Sequence, residues 1–202
     1  MEFTKRSVDS LEKIYAVIIA LAIGKTLTTI FPGGDFNSDL ANNAKFIPAL
    51  FSFFLLVVPF YHGMNRHLDF CYLSKKKEDI KEWGLLIDFI VFCLESSLLF
   101  VFANYIKSGI NCYIILGLIL AIDVIWGFVS HLIHYGKITS SLLKWCIINF
   151  LAIILGYLNF VIKNAFTDFS KEINFLLIML LRTIADYWTS WSFYFPKNEA
   201  ES

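Results

Sequence analysis

The chain has 202 residues, 57% of them hydrophobic and 17% aromatic, with 17 basic and 17 acidic residues and a formal net charge of zero. A neutral chain has no general attraction for nucleic acid, so no nucleic-acid partner is expected. A mean hydropathy of +0.65 and apolar residues gathered in blocks argue against an ordinary soluble domain. The expected class is all-α: a polytopic membrane bundle of about six transmembrane helices, one integral membrane domain over 1–202.

A helix needs about 20 apolar residues to cross a bilayer. Six runs approach or reach that length: 14–31, 45–63, 83–104, 112–134, 142–162 and 173–195. No small-residue cleavage pattern follows the first run, which therefore reads as a retained helix rather than a signal peptide. The connection 32-PGGDFNSDLANN-43 has turn chemistry. In the second run, Pro48 suits a first helical turn, whereas Pro59 predicts a kink or an end, because proline lacks the donor its helix requires. The following segment, 62–82, reads as a basic loop whose first half, 62-HGMNRHLDFCYL-73, has the mixed character of an interfacial helix.

Basic residues orient the chain. With both termini cytoplasmic, Lys5, Arg6, Lys13, Arg66, Lys75, Lys76, Lys77, Lys81, Lys137, Lys144 and Lys197 fall inside, and only Lys45, Lys107, Lys163 and Lys171 fall outside. The expected location is a bacterial inner membrane or a plasma membrane.

Charges within the apolar runs point to function, because hydrocarbon does not solvate them and each costs about 2.5–3.5 kcal/mol at mid-depth. They are Lys25, Asp88, Glu95, Asp123, Arg182 and Asp186. Arg182 and Asp186 stand one helical turn apart on one face, and Asp88 and Glu95 share a stripe two turns long. In one reading these charges are scaffold, with Arg182 neutralised by Asp186 and by Glu95 or Asp123 from neighbouring helices; in the other they line a hydrated path. A surplus of acids suits a path for cations or protons. A second polar cluster, His62, Arg66, His67 and Asp69, lies at the inner end of the second run and suits a phosphate, a lipid head group or a metal.

No H-E-x-x-H, G-x-S-x-G, glycine-rich phosphate loop or C-x-x-C is present, so no catalytic residue, cofactor or metal set is assigned. His131 and His134 have a spacing that can chelate, without an assured third ligand. Cys71, Cys93, Cys112 and Cys146 read as small buried hydrophobes. The tail aromatics Tyr187, Trp188, Trp191, Phe193, Tyr194 and Phe195 read as an interfacial belt.

The leading expectation is a channel or transporter with a polar path through Glu95, Asp123, Arg182 and Asp186, with Asp88 and Lys25 as second choices, acting as a homo-oligomer in the lipid bilayer. One alternative is an accessory or effector subunit, as in bacterial defence or toxin systems, binding a soluble partner through loop 62–82. Another is a membrane-embedded lipid-modifying enzyme using the His62–Asp69 cluster.

Overall fold

The computed structural model describes residues 2–33, 43–74, 80–136, 139–162 and 168–196. These residues hold no strand, so the fold is all-helical. The long helices are α1 (Glu2–Ile30), α2 (Ile47–Leu68), α3 (Glu82–Tyr105), α4 (Ile110–Tyr135), α5 (Ser140–Val161) and α6 (Asp168–Thr189), followed by a single turn, α7 (Trp191–Tyr194). Five of them, α1 to α5, are long and apolar enough to cross a membrane.

The helices close into a ring: α1 packs on α3, α3 on α4, α4 on α5, α5 on α6, α6 on α2, and α2 returns to α1. The start of α1 and the ends of α2, α4 and α6 lie at one end of the bundle, called proximal here; the opposite end is distal.

Burial is inverted relative to a soluble protein. Leu86, Ile125, Tyr157 and Leu181 are more than 60% exposed, while Asp88, Glu95, Arg182 and Asp186 are at most 3% exposed. Helix α6, which falls outside the five by hydropathy, has the same polarity: Leu177, Leu181, Ile184 and Trp188 face out, and Arg182 and Asp186 face in.

Helix α1 begins twelve residues before the run expected at 14–31, and its buried positions Val8, Leu11, Tyr15, Ile19, Ala22, Thr26 and Ile30 make one stripe at helical spacing. The expected break at Pro59 does not occur. Helix α2 continues through it, because the Thr183 hydroxyl of α6 donates to Leu55 O at 2.9 Å, the carbonyl that residue 59 would otherwise serve. The chain then widens into a π-turn, Asp69–Leu73; residues 62–73, expected to resemble an interfacial helix, are helical but continue α2, with Met64, Leu68, Cys71 and Tyr72 buried in the bundle. The last run, expected to reach 195, breaks at Ser190 and turns α7 back over the proximal end.

Short connections are set by local chemistry. Gly136, at φ +66°, takes the left-handed conformation that ends α4, and its N–H donates to Leu132 O. Lys81 Nζ donates to Ile133 O, covering another carbonyl of that last turn. Thr139 caps α5 through Leu142 N.

The distal half of the core is mainly apolar, with Thr26 and Ser52 buried among its hydrophobic side chains. Phe53 stacks on Phe102 with centroids 4.9 Å apart, and Tyr113 meets Phe160 at 4.8 Å and Phe175 at 4.7 Å. Leu99, Leu116 and Ile119 are fully buried beside them.

Candidate functional site

The proximal half holds a cavity of about 320 Å³ within one chain. Its floor carries charge: Glu95 from α3, Asp123 from α4, and Arg182 and Asp186 from α6. Aromatic walls come from Phe60, Phe92, Trp126, Trp145 and Tyr194. Residues near the proximal helix ends, Thr139, Ser190 and Phe193, form its outer part.

Arg182 organises the floor. Its Nε donates to Asn149 Oδ1 on α5 at 2.7 Å, its Nη2 stands 3.6 Å from Asp186 Oδ2, and its guanidinium lies 5.6 Å from the Phe60 ring centre. Tyr194 Oη donates to the same Asp186 oxygen at 3.1 Å, which ties α7 to the floor. The expected one-turn pair is therefore present. The other partner of Arg182 is an amide: neither Glu95 nor Asp123 makes an ion pair with it among the described residues. Asn149 interrupts the apolar stretch 146-CIINFLAIILG-156, and that interruption is the sequence signal that marks it.

Three buried polar atoms on this floor have no hydrogen-bond partner among the described residues: Glu95 Oε1, Asp186 Oδ1 and Arg182 Nη1. Buried charged groups left unmatched are costly, so these atoms mark the floor as a place where a proton, water or a solute would be stabilising. The floor gathers three carboxyl groups and one guanidinium.

Asp88 is not on the floor. It anchors a second network at the proximal side, accepting from His67 Nε2 at 2.8 Å, Tyr72 Oη at 2.6 Å and Trp126 Nε1 at 2.8 Å. Tyr72 Oη also lies 3.2 Å from His134 Nε2, and Cys71 Sγ lies 3.6 Å from His67 Nδ1. Ser130 Oγ lies 3.4 Å from His67 Nε2, the nitrogen already on Asp88. A serine relay needs the two ring nitrogens on different partners, so this arrangement does not activate Ser130 as a nucleophile.

Comparison with protein families, curated proteins and solved structures finds no match for this chain.

The cluster expected at 62–69 divides. His67 turns inward to Asp88 and lines the cavity. His62 packs against Tyr187 and Tyr194, with Nδ1 at 3.3 Å from Tyr187 Oη. Arg66 donates to Phe193 O at 3.2 Å and to Asp69 Oδ2 at 3.3 Å, so it holds α7 rather than a free anion. Lys25 stands exposed on α1 and is not among the cavity residues, because the inward stripe of α1 passes through Ala22 and Thr26. Lys75, Lys76 and Lys77 lie outside the described residues. Sequence reasoning missed Tyr72, Trp126, Asn149 and the joining of His67 to His134, since each partnership links separate helices.

Proposed function

We propose that this chain is a six-helix membrane transporter with both termini on the cytoplasmic side, and that its cavity is a binding site, open toward that side, for protons or a small cation. The observation that carries the reading is the set of unmatched polar atoms, Glu95 Oε1, Asp186 Oδ1 and Arg182 Nη1, on one cavity floor. An intramembrane acid cluster with room for water favours positive charge. Aromatic walls suit an organic cation, which gains attraction from ring faces. Glu95 and Asp123 meet the cation, Arg182 limits the net charge of the empty site, and Asp186 and Asn149 orient Arg182.

The aromatic and aliphatic filling of the distal half supports gated transport over an open channel, since ions do not pass through Phe53, Leu99 and Phe102 in contact. The sixth span is α6, whose charges face the floor and whose outer face is apolar. One chain encloses the cavity, so the reading does not depend on an oligomer. A role as an accessory subunit has less support, because Met64, Leu68, Cys71 and Tyr72 of the expected docking segment are committed to the bundle.

The test is flux in proteoliposomes carrying an internal pH dye, with radiolabelled guanidinium and tetramethylammonium supplied from either side. Wild type moves protons or one of the cations, and Glu95→Gln or Asp123→Asn reduces that flux at least tenfold while the protein stays folded. Folded wild type that moves none of the three overturns the proposal.

A further inference from the structure

Beside the cavity floor, three side chains of another chemistry converge. One ring nitrogen of His67, one of His134 and the Sγ of Cys71 lie within 4.8 Å of one another. We propose that His67, Cys71 and His134 form a binding site for a zinc-type divalent metal ion. The proposal concerns ligand chemistry alone and does not rest on transport: either reading survives the failure of the other.

The donor set comes first. One thiolate and two imidazoles are borderline ligands of the type zinc selects, whereas a magnesium or calcium site is built from oxygens. Three protein ligands leave a fourth tetrahedral position for water or a solute. His67 also lines the cavity, which gives an ion a route in.

Spacing is the second argument. With Zn–N of about 2.0 Å and Zn–S of about 2.3 Å, tetrahedral ligand atoms stand about 3.3–3.6 Å apart. His67 Nδ1 and Cys71 Sγ are 3.6 Å apart, so one of the three ligand pairs already has its bound separation, and all three atoms lie within 4.8 Å of one another. His134 closes it by a small side-chain movement. Residues 67 and 71 come together because they are one turn apart at the α2 end, where the helix enters the π-turn Asp69–Leu73. Such local widenings recur at functional sites.

The surrounding hydrogen bonds supply the third. Metal-bound histidines commonly donate their second ring N–H to a carboxylate, which fixes the tautomer and aims the other nitrogen at the ion. Asp88 does this for His67: the carboxylate accepts from Nε2–H, which leaves Nδ1, facing Cys71, as the nitrogen an ion would take. Tyr72 donates to the same carboxylate oxygen, and its own oxygen is placed to accept from His134 Nε2. Trp126 donates to the other carboxylate oxygen. Asp88, at 1% exposure, thus positions ligands contributed by two helices. Ordinary packing would account for a buried cysteine, but it does not require a carboxylate and a tyrosine to hold both neighbouring histidines.

The experiment uses the purified full chain in detergent, stripped with chelator and titrated with cobalt(II), whose thiolate charge-transfer and tetrahedral d–d bands report sulfur ligation. Wild type takes up one equivalent with both bands, and zinc displaces it. Cys71→Ser abolishes the thiolate band. His134→Gln lowers affinity at least tenfold, and Asp88→Asn lowers it about 10–100-fold while keeping the band, as expected for a positioning residue. X-ray absorption at the zinc edge of wild type covers the case in which a variant fails to fold: one sulfur at about 2.3 Å with imidazole scatterers supports the site. Folded wild type that shows no thiolate band, or zinc without a sulfur neighbour, overturns it. An unchanged cobalt spectrum in Cys71→Ser does the same.

Discussion

The hydroxyl of Thr183 on α6 donates at 2.9 Å to Leu55 O on α2, the carbonyl that Pro59 cannot serve. A backbone acceptor without a partner is costly inside a membrane, so one side chain from the neighbouring helix keeps α2 continuous past its proline. That continuity carries the helix on to His67 and Cys71.

Thr183→Val should therefore destabilise the protein by about 1 kcal/mol, the typical worth of a membrane side-chain hydrogen bond. In a Pro59→Ala background residue 59 regains its N–H, and the same substitution should cost measurably less. Denaturant titration of the four proteins of this cycle in mixed micelles checks the coupling.

Removing Arg182 should be far more severe. Arg182→Gln leaves Glu95, Asp123 and Asp186 without their guanidinium on a buried floor, at a loss of about 3–5 kcal/mol. Adding Asp186→Asn should recover part of that loss by removing one acid. Thermal unfolding in detergent reads both effects; equal melting temperatures for the single and double variants would refute the account.

Two glycines distinguish the distal core from the cavity wall. A Cβ at Gly156 would come 2.9 Å from Phe175 Cε2, whose ring is fixed between Tyr113 and Phe160. Gly156→Ala should cost about 1–3 kcal/mol through overpacking. A Cβ at Gly127 would come 2.6 Å from Trp145 Cζ3, but Trp145 borders the cavity and has room to turn. Gly127→Ala should cost less stability and cut cation flux more, a divergence visible when melting and transport are measured side by side.

Topology gives a fourth prediction. Lys107 lies in the turn between α3 and α4, and Ser74 follows the π-turn at the other end of the bundle. In a cysteine-free background, Lys107→Cys should react with a membrane-impermeant maleimide on intact cells, and Ser74→Cys only after permeabilisation. The reverse pattern would invert the proposed orientation.

The helices and their inward charges were legible in the sequence because both follow from short-range rules: run length against bilayer thickness, and the cost of an ion in hydrocarbon. The course of α2 was not. Pro59 carries its own signal to break, whereas its remedy, Thr183, lies 128 residues from the Leu55 carbonyl it serves. The floor was legible as a list of charges but not as a set of bonds, since nothing adjacent in the chain says that Arg182 takes Asn149 rather than Glu95 as its second partner. The His67–Cys71–His134 convergence was hidden similarly, because two ligands end one helix and the third ends another.

Glu95 and Asp123 sit near the midpoints of α3 and α4, the helices Glu82–Tyr105 and Ile110–Tyr135. On the proposed reading, a cation that reaches them from the cytoplasm crosses at most roughly half of the transmembrane potential, and less as water fills the cavity. A whole crossing is worth about 2.3 kcal/mol per charge for 100 mV, so half is worth about 1.2 kcal/mol, or roughly sevenfold in occupancy. On the proposed reading, an interior-negative potential would lower occupancy of this site and depolarisation would raise it, which would make the position of two carboxyl groups a voltmeter.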